Sequence, residues 1–450
     1  MSLVITRVWY VSFLLFCSFL FIGTSSSRVD AALDTAESKV ISDSEEPSDR
    51  RIYSYDMGVD SQSNVHIIYS KPLGDRTAEI FYIRQVAGVW QAPMLLSSSG
   101  FRASISTNLV VGTDNRIHVS YLKDVGGTTA ALYYRTVNNG VTTPELLVAN
   151  GGWHSRMQLD SNGRPVFVRE GETWPEQVSK LILLTSQDGE TWDSSPLPLA
   201  DVTRFRIADF VVENGAYHVT YGDSRYSYEV WNGKWMTARV MGVFHDFHYA
   251  TSEDGVSWIE HTIDSSHTLY EMEFWTTMVL DGGKPVIGMY KYAEYGNKYN
   301  TGTSAVSYKW NGSTWLQKGI TDTSYPDSRE GMGVGLVVNG SGDYFGAWDY
   351  SPDYPQDDDF RGERGNIALA RSGANGDWEP KAQVDPFSLE GRAKLCIYGN
   401  YLFFLALGDF VDAKLYFRKY NIAALAEDLP VSLSAKGGGK ALPAVYLLVR

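Results

Sequence analysis

The chain has 450 residues, 44% of them hydrophobic and 13% aromatic, with 42 glycines and a formal net charge of −14. That length and apolar content exclude a disordered chain and suffice for a large core. The acid excess without a basic stripe excludes nucleic acid as a partner, and two cysteines, Cys17 and Cys396, exclude a disulfide framework.

Residues 1–31 read as a secretory signal peptide. Arg7 precedes an apolar run from Val8 to Gly23, small polar residues follow, and Val29-Asp30-Ala31 offers a cleavage site after Ala31. The mature protein is then expected to be secreted, extracellular or periplasmic, free of the membrane once the signal is removed, and monomeric. Its one remaining thiol, Cys396, allows no intrachain disulfide. Residues 32–49 are acidic and aperiodic and read as a flexible leader. Lys39 to Ser42 is an alternative source of a strand that closes the fold, with Val445 to Arg450 as its rival.

From residue 50 onward one strand signature recurs seven times, at intervals of roughly fifty to seventy residues. The copies are Val65 to Tyr69, Ile117 to Tyr121, Pro165 to Val168, Tyr217 to Tyr221, Pro285 to Met289, Tyr344 to Trp348 and Tyr401 to Leu405. From the second copy on, each is preceded by another apolar strand: Ser106 to Gly112, Arg156 to Leu159, Ile207 to Val212, Phe274 to Leu280, Met332 to Val338 and Ala393 to Tyr398. Each copy is also followed by a third strand, and five units then place a tryptophan just after a glycine-bearing turn: Trp90, Trp192, Trp258, Trp315 and Trp378. Short alternating runs rich in Val, Ile, Tyr and Phe and punctuated by Gly, Asn and Asp are strands and turns, and no stretch after residue 50 holds a helical period. The pattern predicts an all-β, seven-bladed β-propeller of four-stranded antiparallel blades, a single domain over residues 50–450.

In that topology the turns between first and second strands are all short. The connections leaving the second strands are long and aromatic in units four to six: Gly222 to Val243, Lys291 to Gly302 and Asp349 to Gly365. Function is expected on the face carrying these loops. Residues at the starts of the inner strands ring the axis there, among them Arg102, His154, Arg156, Arg206, Glu273, Arg329 and Arg392. The ends of the second strands add Arg169 with Glu170, Tyr221 with Arg225, and Tyr290 with Tyr292. So many guanidinium groups in an acidic chain point to an anionic ligand, since their forks pair bidentately with carboxylates and sulfates. Salt bridges between blades are the plain alternative for any one of them.

His66, His118 and His218 share one slot of the repeat, which assigns them to packing; His154 breaks the repeat. His245 and His248 lie three apart on a strand and so on opposite faces, which argues against a metal pair. No cofactor is required by this reading. The acidic stretch Asp353, Asp357, Asp358 and Asp359 is a candidate structural calcium site, with a solvated loop as the alternative.

Ser186-Gln187-Asp188-Gly189-Glu190-Thr191-Trp192 and Ser252-Glu253-Asp254-Gly255-Val256-Ser257-Trp258 resemble the Asp-box turns of sialidase-like propellers, one residue short of the usual spacing. A secreted seven-bladed propeller with an arginine, histidine and tyrosine funnel also resembles polysaccharide lyases of the ulvan lyase and rhamnose-glucuronate lyase type, over about residues 50 to 425. That resemblance implies β-elimination next to a uronic acid. Arg206 and Arg225 would neutralise the carboxylate, and Tyr221 and His154 would serve as base and acid. Arg102, Arg156, Arg169, Glu273, Tyr290, Tyr292, Arg329 and Arg392 would hold an anionic polysaccharide. A phenol ionises near pH 10, so a neighbouring arginine has to favour the phenolate, and Arg225 lies close enough to Tyr221 in sequence for that. Two alternatives stand beside the lyase. One is a sialidase-like glycoside hydrolase, for which Arg204-Phe205-Arg206-Ile207 only partly echoes the expected Phe-Arg-Ile-Pro element. The other is a non-catalytic glycan-binding propeller, disfavoured because the rim residues differ from unit to unit.

Overall fold

The computed structural model describes residues 37–42, 54–74, 77–97, 101–102, 106–124, 130–152, 154–173, 178–199, 204–228, 240–265, 276–293, 302–320, 329–330, 334–351, 366–373, 377–378, 382–385, 393–407 and 414–428. It is a seven-bladed propeller of mostly four-stranded antiparallel blades. The inner strands, in blade order, are Tyr55–Val59, Thr107–Val111, Ser155–Leu159, Arg204–Glu213, Thr277–Asp281, Gly335–Val338 and Lys394–Tyr398. The second strands carry the recurring signature, for example Val65–Gly74, Pro165–Thr173 and Tyr401–Leu407. They read as continuous apolar runs because each blade is covered on both faces by its neighbours; Leu402 to Ala406 are all buried. Apolar clusters fill the spaces between consecutive blades and run right round the ring, including the seam between the last blade and the first.

That seam corrects the leader assignment. Glu37–Ser42 is not flexible leader: it is the outer strand of blade seven, antiparallel to Leu415–Asn421, and it places Ile41 in the core between blades seven and one. Glu37 also reaches across to blade one, where its carboxylate accepts hydrogen bonds from Gln85 and from Trp90 Nε1, the latter at 3.0 Å. The ring is therefore closed by the N-terminal candidate; Val445 to Arg450 lies outside the described residues, as do residues 1–31. The helix Ile422–Asp428 was not expected either. It is held by Asn421, whose side chain accepts from Ala423 N at 2.9 Å, and by the bond from Ile422 N to Asn400 O, and it buries Leu425. Among the described residues no helix is long and apolar enough to cross a membrane.

The repeated tryptophans join blades. Trp192 packs edge-on against Tyr134 of blade two, Trp315 against Tyr249 of blade four and Trp90 against Phe417 of blade seven, while Trp378 Nε1 donates to Ser307 of blade five at 2.9 Å. Truncating rings of this size costs about 3–5 kcal/mol in packed cores. Aspartate-bonded turns precede Trp192 and Trp258. Asp188 Oδ1 accepts from Glu190 N and Thr191 N, and Asp254 Oδ1 from Val256 N and Ser257 N, all at 2.7–2.8 Å. These donors hold the Asp254 carboxyl down at about 2.

The slot histidines are packing residues. Nδ1 of His66, His118 and His218 lies 2.6, 2.7 and 2.6 Å from the hydroxyls of Tyr82, Tyr134 and Tyr249 on the third strands. Burial pulls His118 and His218 down to about 4 from the usual 6.5. The unfolded chain therefore takes up protons that the folded chain refuses, and stability falls as pH drops from 6.5 toward 4, by up to roughly 3 kcal/mol per histidine. We expect the urea midpoint to fall steadily between pH 6.5 and 5, and His118→Gln to show a shallower slope there. A midpoint equally flat in both proteins would contradict this assignment.

Candidate functional site

The axial channel is built from the inner strands. Asp56 of blade one and Asp209 of blade four occupy matching positions. Each accepts from its own following N–H (Met57 at 3.0 Å, Phe210 at 2.9 Å) and from the inner strand of the next blade (Leu109 N at 2.9 Å, Met278 N at 2.7 Å). Lys394 Nζ lies 3.2 Å from Asp56, and Arg156 Nε lies 4.0 Å from Asp209. These four charges, with Asn108, Gln158 and Thr277, line a cavity of about 220 Å³ on the axis. Arg156 was expected at the rim as a sugar ligand. It turns into the channel instead, donating from Nε to Ala208 O at 3.0 Å and from Nη1 to Ser155 O at 3.2 Å.

Above the channel, on the face toward which the second strands run, the inner and second strands of blade three pair with Ser155 opposite Arg169. That register sets His154 beside Glu170. The imidazole Nδ1 is 3.2 Å from Glu170 Oε2, and both side chains are buried. The other carboxylate oxygen of Glu170 accepts from Ile207 N of blade four at 3.2 Å, so the carboxylate is fixed from two sides. Glu170 stood in the sequence only as a neighbour of Arg169. Its partnership with His154 depends on strand register, which no local pattern reveals.

Ile207 leads to Tyr221, its partner across the strand pair in blade four. Tyr221 was expected at the end of its strand on the rim; the strand instead runs on to Tyr228, and Tyr221 is 1% exposed in the apolar layer between blades three and four, with Val166, Val168, Leu183 and Ala250. Its ring stacks on His248, with centroids 5.2 Å apart and planes at 17°, and His248 Nδ1 lies 3.2 Å from Glu260 Oε1 on the outer strand. His154 and Tyr221 are thus brought into one interblade layer through Glu170 and Ile207, with His248 as a further member.

The approach to His154 is shaped by two glycines. Gly151 and Gly152 have φ of 84° and 91°, and a Cβ on Gly152 would stand 2.2 Å from Glu170 O. Arg169, also expected as a sugar ligand, donates from Nη1 to Gly151 O at 2.6 Å. Burial holds its guanidinium below the usual value, and among the described residues its buried Nε has no hydrogen-bond partner.

The remaining candidates are placed by backbone alone. Arg206 pairs with Gly222 and Arg225 with Phe244 in blade four; Tyr290 and Tyr292 pair with Ala305 and Thr303 in blade five. Arg102 bridges blades one and two through Thr77 and Asp124, and Arg329 bridges blades five and six through Thr303 and Ser351. The side chains of these six, all of Glu273 and Arg392, and the acidic stretch from Asp353 to Asp359 lie outside the described residues. The expected blade-four loop is partly strand, because Ala216–Tyr228 and Val240–Ser252 form a long hairpin. Among the described residues no group of three His, Cys, Asp or Glu side chains is arranged to hold a metal ion.

A seven-bladed propeller in which His154, Glu170, Tyr221 and His248 share the layer between blades three and four is the class this geometry defines. No known family profile matches the sequence, and no curated protein is detectably similar to it. Among solved structures, an ulvan lyase described as a new family of polysaccharide lyase is 13% identical with a TM-score of 0.53, covering 87% of this chain and 100% of its own. An ulvan lyase bound to -[GlcA(1-4)Rha3S]- gives the same identity and TM-score, covering 87% and 99%. The α-L-arabinofuranosidase of Fusarium graminearum is 11% identical with a TM-score of 0.47, covering 87% and 99%. At such identities the likeness is one of fold, and these structural neighbours are carbohydrate-active propellers.

Proposed function

We propose that the protein is a secreted polysaccharide lyase that cleaves an anionic, uronate-containing polysaccharide by β-elimination. The observation that carries this reading is the His154–Glu170 pair, linked through Ile207 to Tyr221 in the layer between blades three and four of a propeller that shares its fold with an ulvan lyase. In this reading Arg206 and Arg225 neutralise the substrate carboxylate and so stabilise the enolate-like charge that develops when its α-proton leaves. Tyr221 takes that proton. The electron pair forms the new carbon–carbon double bond as the glycosidic C–O bond breaks, and His154, oriented by Glu170, protonates the departing oxygen. Arg102, Glu273, Tyr290, Tyr292, Arg329 and Arg392 are proposed to bind the flanking sugars, sulfated or not, and Arg169 to do so from beside Gly151. No cofactor is assigned to the reaction.

The test is ultraviolet absorbance of the conjugated alkene, with the purified protein lacking residues 1–31 against ulvan, glucuronate-capped rhamnans, pectin, alginate and glycosaminoglycans. Rising absorbance with at least one uronate polymer is expected. A flat trace accompanied by new reducing ends would contradict elimination and move the protein to the hydrolases.

A further inference from the structure

The stack of Tyr221 on His248 occupies a slot that recurs in the fold. In blade one the corresponding pair is Tyr69 on Phe81, with centroids 5.8 Å apart and planes at 21°; in blade two it is Tyr121 on Tyr133, at 6.4 Å and 19°. All three pairs are directly opposite across the second and third strands. In blades one and two the third-strand ring is a neutral aromatic with a lysine over it two residues beyond the tyrosine: Lys71 is 6.0 Å from the Phe81 centroid and Lys123 is 4.2 Å from that of Tyr133. Blade four departs from the repeat twice. It has an aspartate, Asp223, where the others have lysine, and an imidazole where the others have a neutral ring. It is also the tightest of the three stacks.

The imidazole has a second partner. His248 Nδ1 lies 3.2 Å from Glu260 Oε1 and 3.5 Å from Thr262 Oγ1, both on the outer strand Ile259–Asp264. His248 is buried, whereas the Glu260 side chain is 31% exposed, so the carboxylate reaches from solvent to the edge of the stacked ring. We propose that Glu260 and His248 are a positioning pair for the proposed elimination: Glu260 holds the imidazole face to face with the Tyr221 ring, fixing the phenol and favouring its phenolate. This rests on the reading of Tyr221 as base. It sets a polar ring against an enclosed phenol whose charged form burial disfavours; in the blade-one slot, without an imidazole, burial pushes the Tyr69 phenol up to about 12. Among the described residues, ionisable groups on the elements packed around this stack include Arg169, Glu170 and His154 from blade three, Asp209, Glu213 and His218 on the inner and second strands of blade four, Asp246 on the strand of His248 itself, and His261 and Asp264 on the strand of Glu260. The side chains of Arg206, Asp223 and Arg225 in the same blade lie outside the described residues.

The experiment reads the phenol directly, without relying on turnover. Protein labelled with ¹³C at tyrosine Cζ is titrated by NMR, the Tyr221 resonance being assigned by its loss in Tyr221→Phe. Ionisation of Tyr221 is expected to move up by about one pH unit or more in both Glu260→Gln and His248→Phe, with folding checked by thermal unfolding. Glu260→Gln replaces a partly exposed group and serves as the variant least disturbing to the core. If lyase activity is found, the acid limb of kcat/KM is expected to move in the same direction. An unchanged Tyr221 titration in Glu260→Gln would overturn the pairing, whether or not the protein cleaves polysaccharide. A shifted titration in a protein that performs no elimination would leave the pairing standing and remove the lyase reading.

Discussion

Replacing His154 with alanine is expected to slow alkene formation by about 10²–10⁴-fold, the range over which a positioned general acid or base contributes. The substitution removes the ring whose Nδ1 lies 3.2 Å from the buried Glu170 carboxylate. Glu170→Gln is the companion test. The amide keeps the volume and still accepts from Ile207 N, but it withdraws the negative charge next to Nδ1. We expect it to lower kcat by about tenfold or more while KM changes little, because a group that steers the acid acts on the chemical step. Unfolding midpoints within a few degrees of the parent in both variants separate lost chemistry from lost fold. A His154→Ala protein that keeps more than half of the parent rate would exclude the imidazole from the reaction.

Gly152→Ala should be the most damaging single-methyl change near the site. The position has φ of 91°, and the added carbon would stand 2.2 Å from the backbone oxygen of Glu170, with Arg169 Nη1 at 3.2 Å as a second obstacle. Backbone cannot move aside as a flexible side chain does, so strain at positive φ and overpacking add together, to about 3 kcal/mol or more. Because Gly152 lies two residues before His154, whose carbonyl oxygen accepts from Glu170 N at 3.1 Å, the damage falls on the His154–Glu170 pair as well. Thermal unfolding and the alkene assay on one preparation are expected to show both losses. Gly163→Ala is the control, since it has φ of 73° but nothing within 4 Å of the added carbon; equal destabilisation of the two variants would show that dihedral strain alone is responsible.

The parts of the fold that were legible in the sequence are those in which local pattern and long-range packing agree. The seven second strands announce themselves because blades cover them on both faces, leaving uninterrupted apolar runs such as Leu402 to Ala406. The tryptophans are legible because the glycine turn before each one fixes its place in the unit. The closing strand was not settled by pattern: Glu37–Ser42 is short and polar, and its stability comes from pairing with Leu415–Asn421 and from Ile41 in a distant core. The helix Ile422–Asp428 is too short to show a period and is fixed by contacts at its start.

The candidate site divides in the same way. His154 stood out because it breaks the repeat. Glu170 and His248 did not, because each acquires its meaning from a partner across a strand pair. Arg156 shows the converse hazard. One residue beyond Ser155 on the same strand, it counts as a rim cation by position, yet its donors reach backbone carbonyls at the channel wall. A ring of arginines in the sequence therefore overstates the positive charge available to a ligand, because some guanidinium groups bind the scaffold.

The central claim, that the bond is broken by elimination, is tested most directly by mass spectrometry of the oligosaccharides released from a uronate polysaccharide in ¹⁸O-labelled water. Elimination gives products one water lighter than hydrolysis would give, with an unsaturated uronate at the new non-reducing end and no label incorporated at the cleaved bond. Products that carry the added labelled water would contradict it.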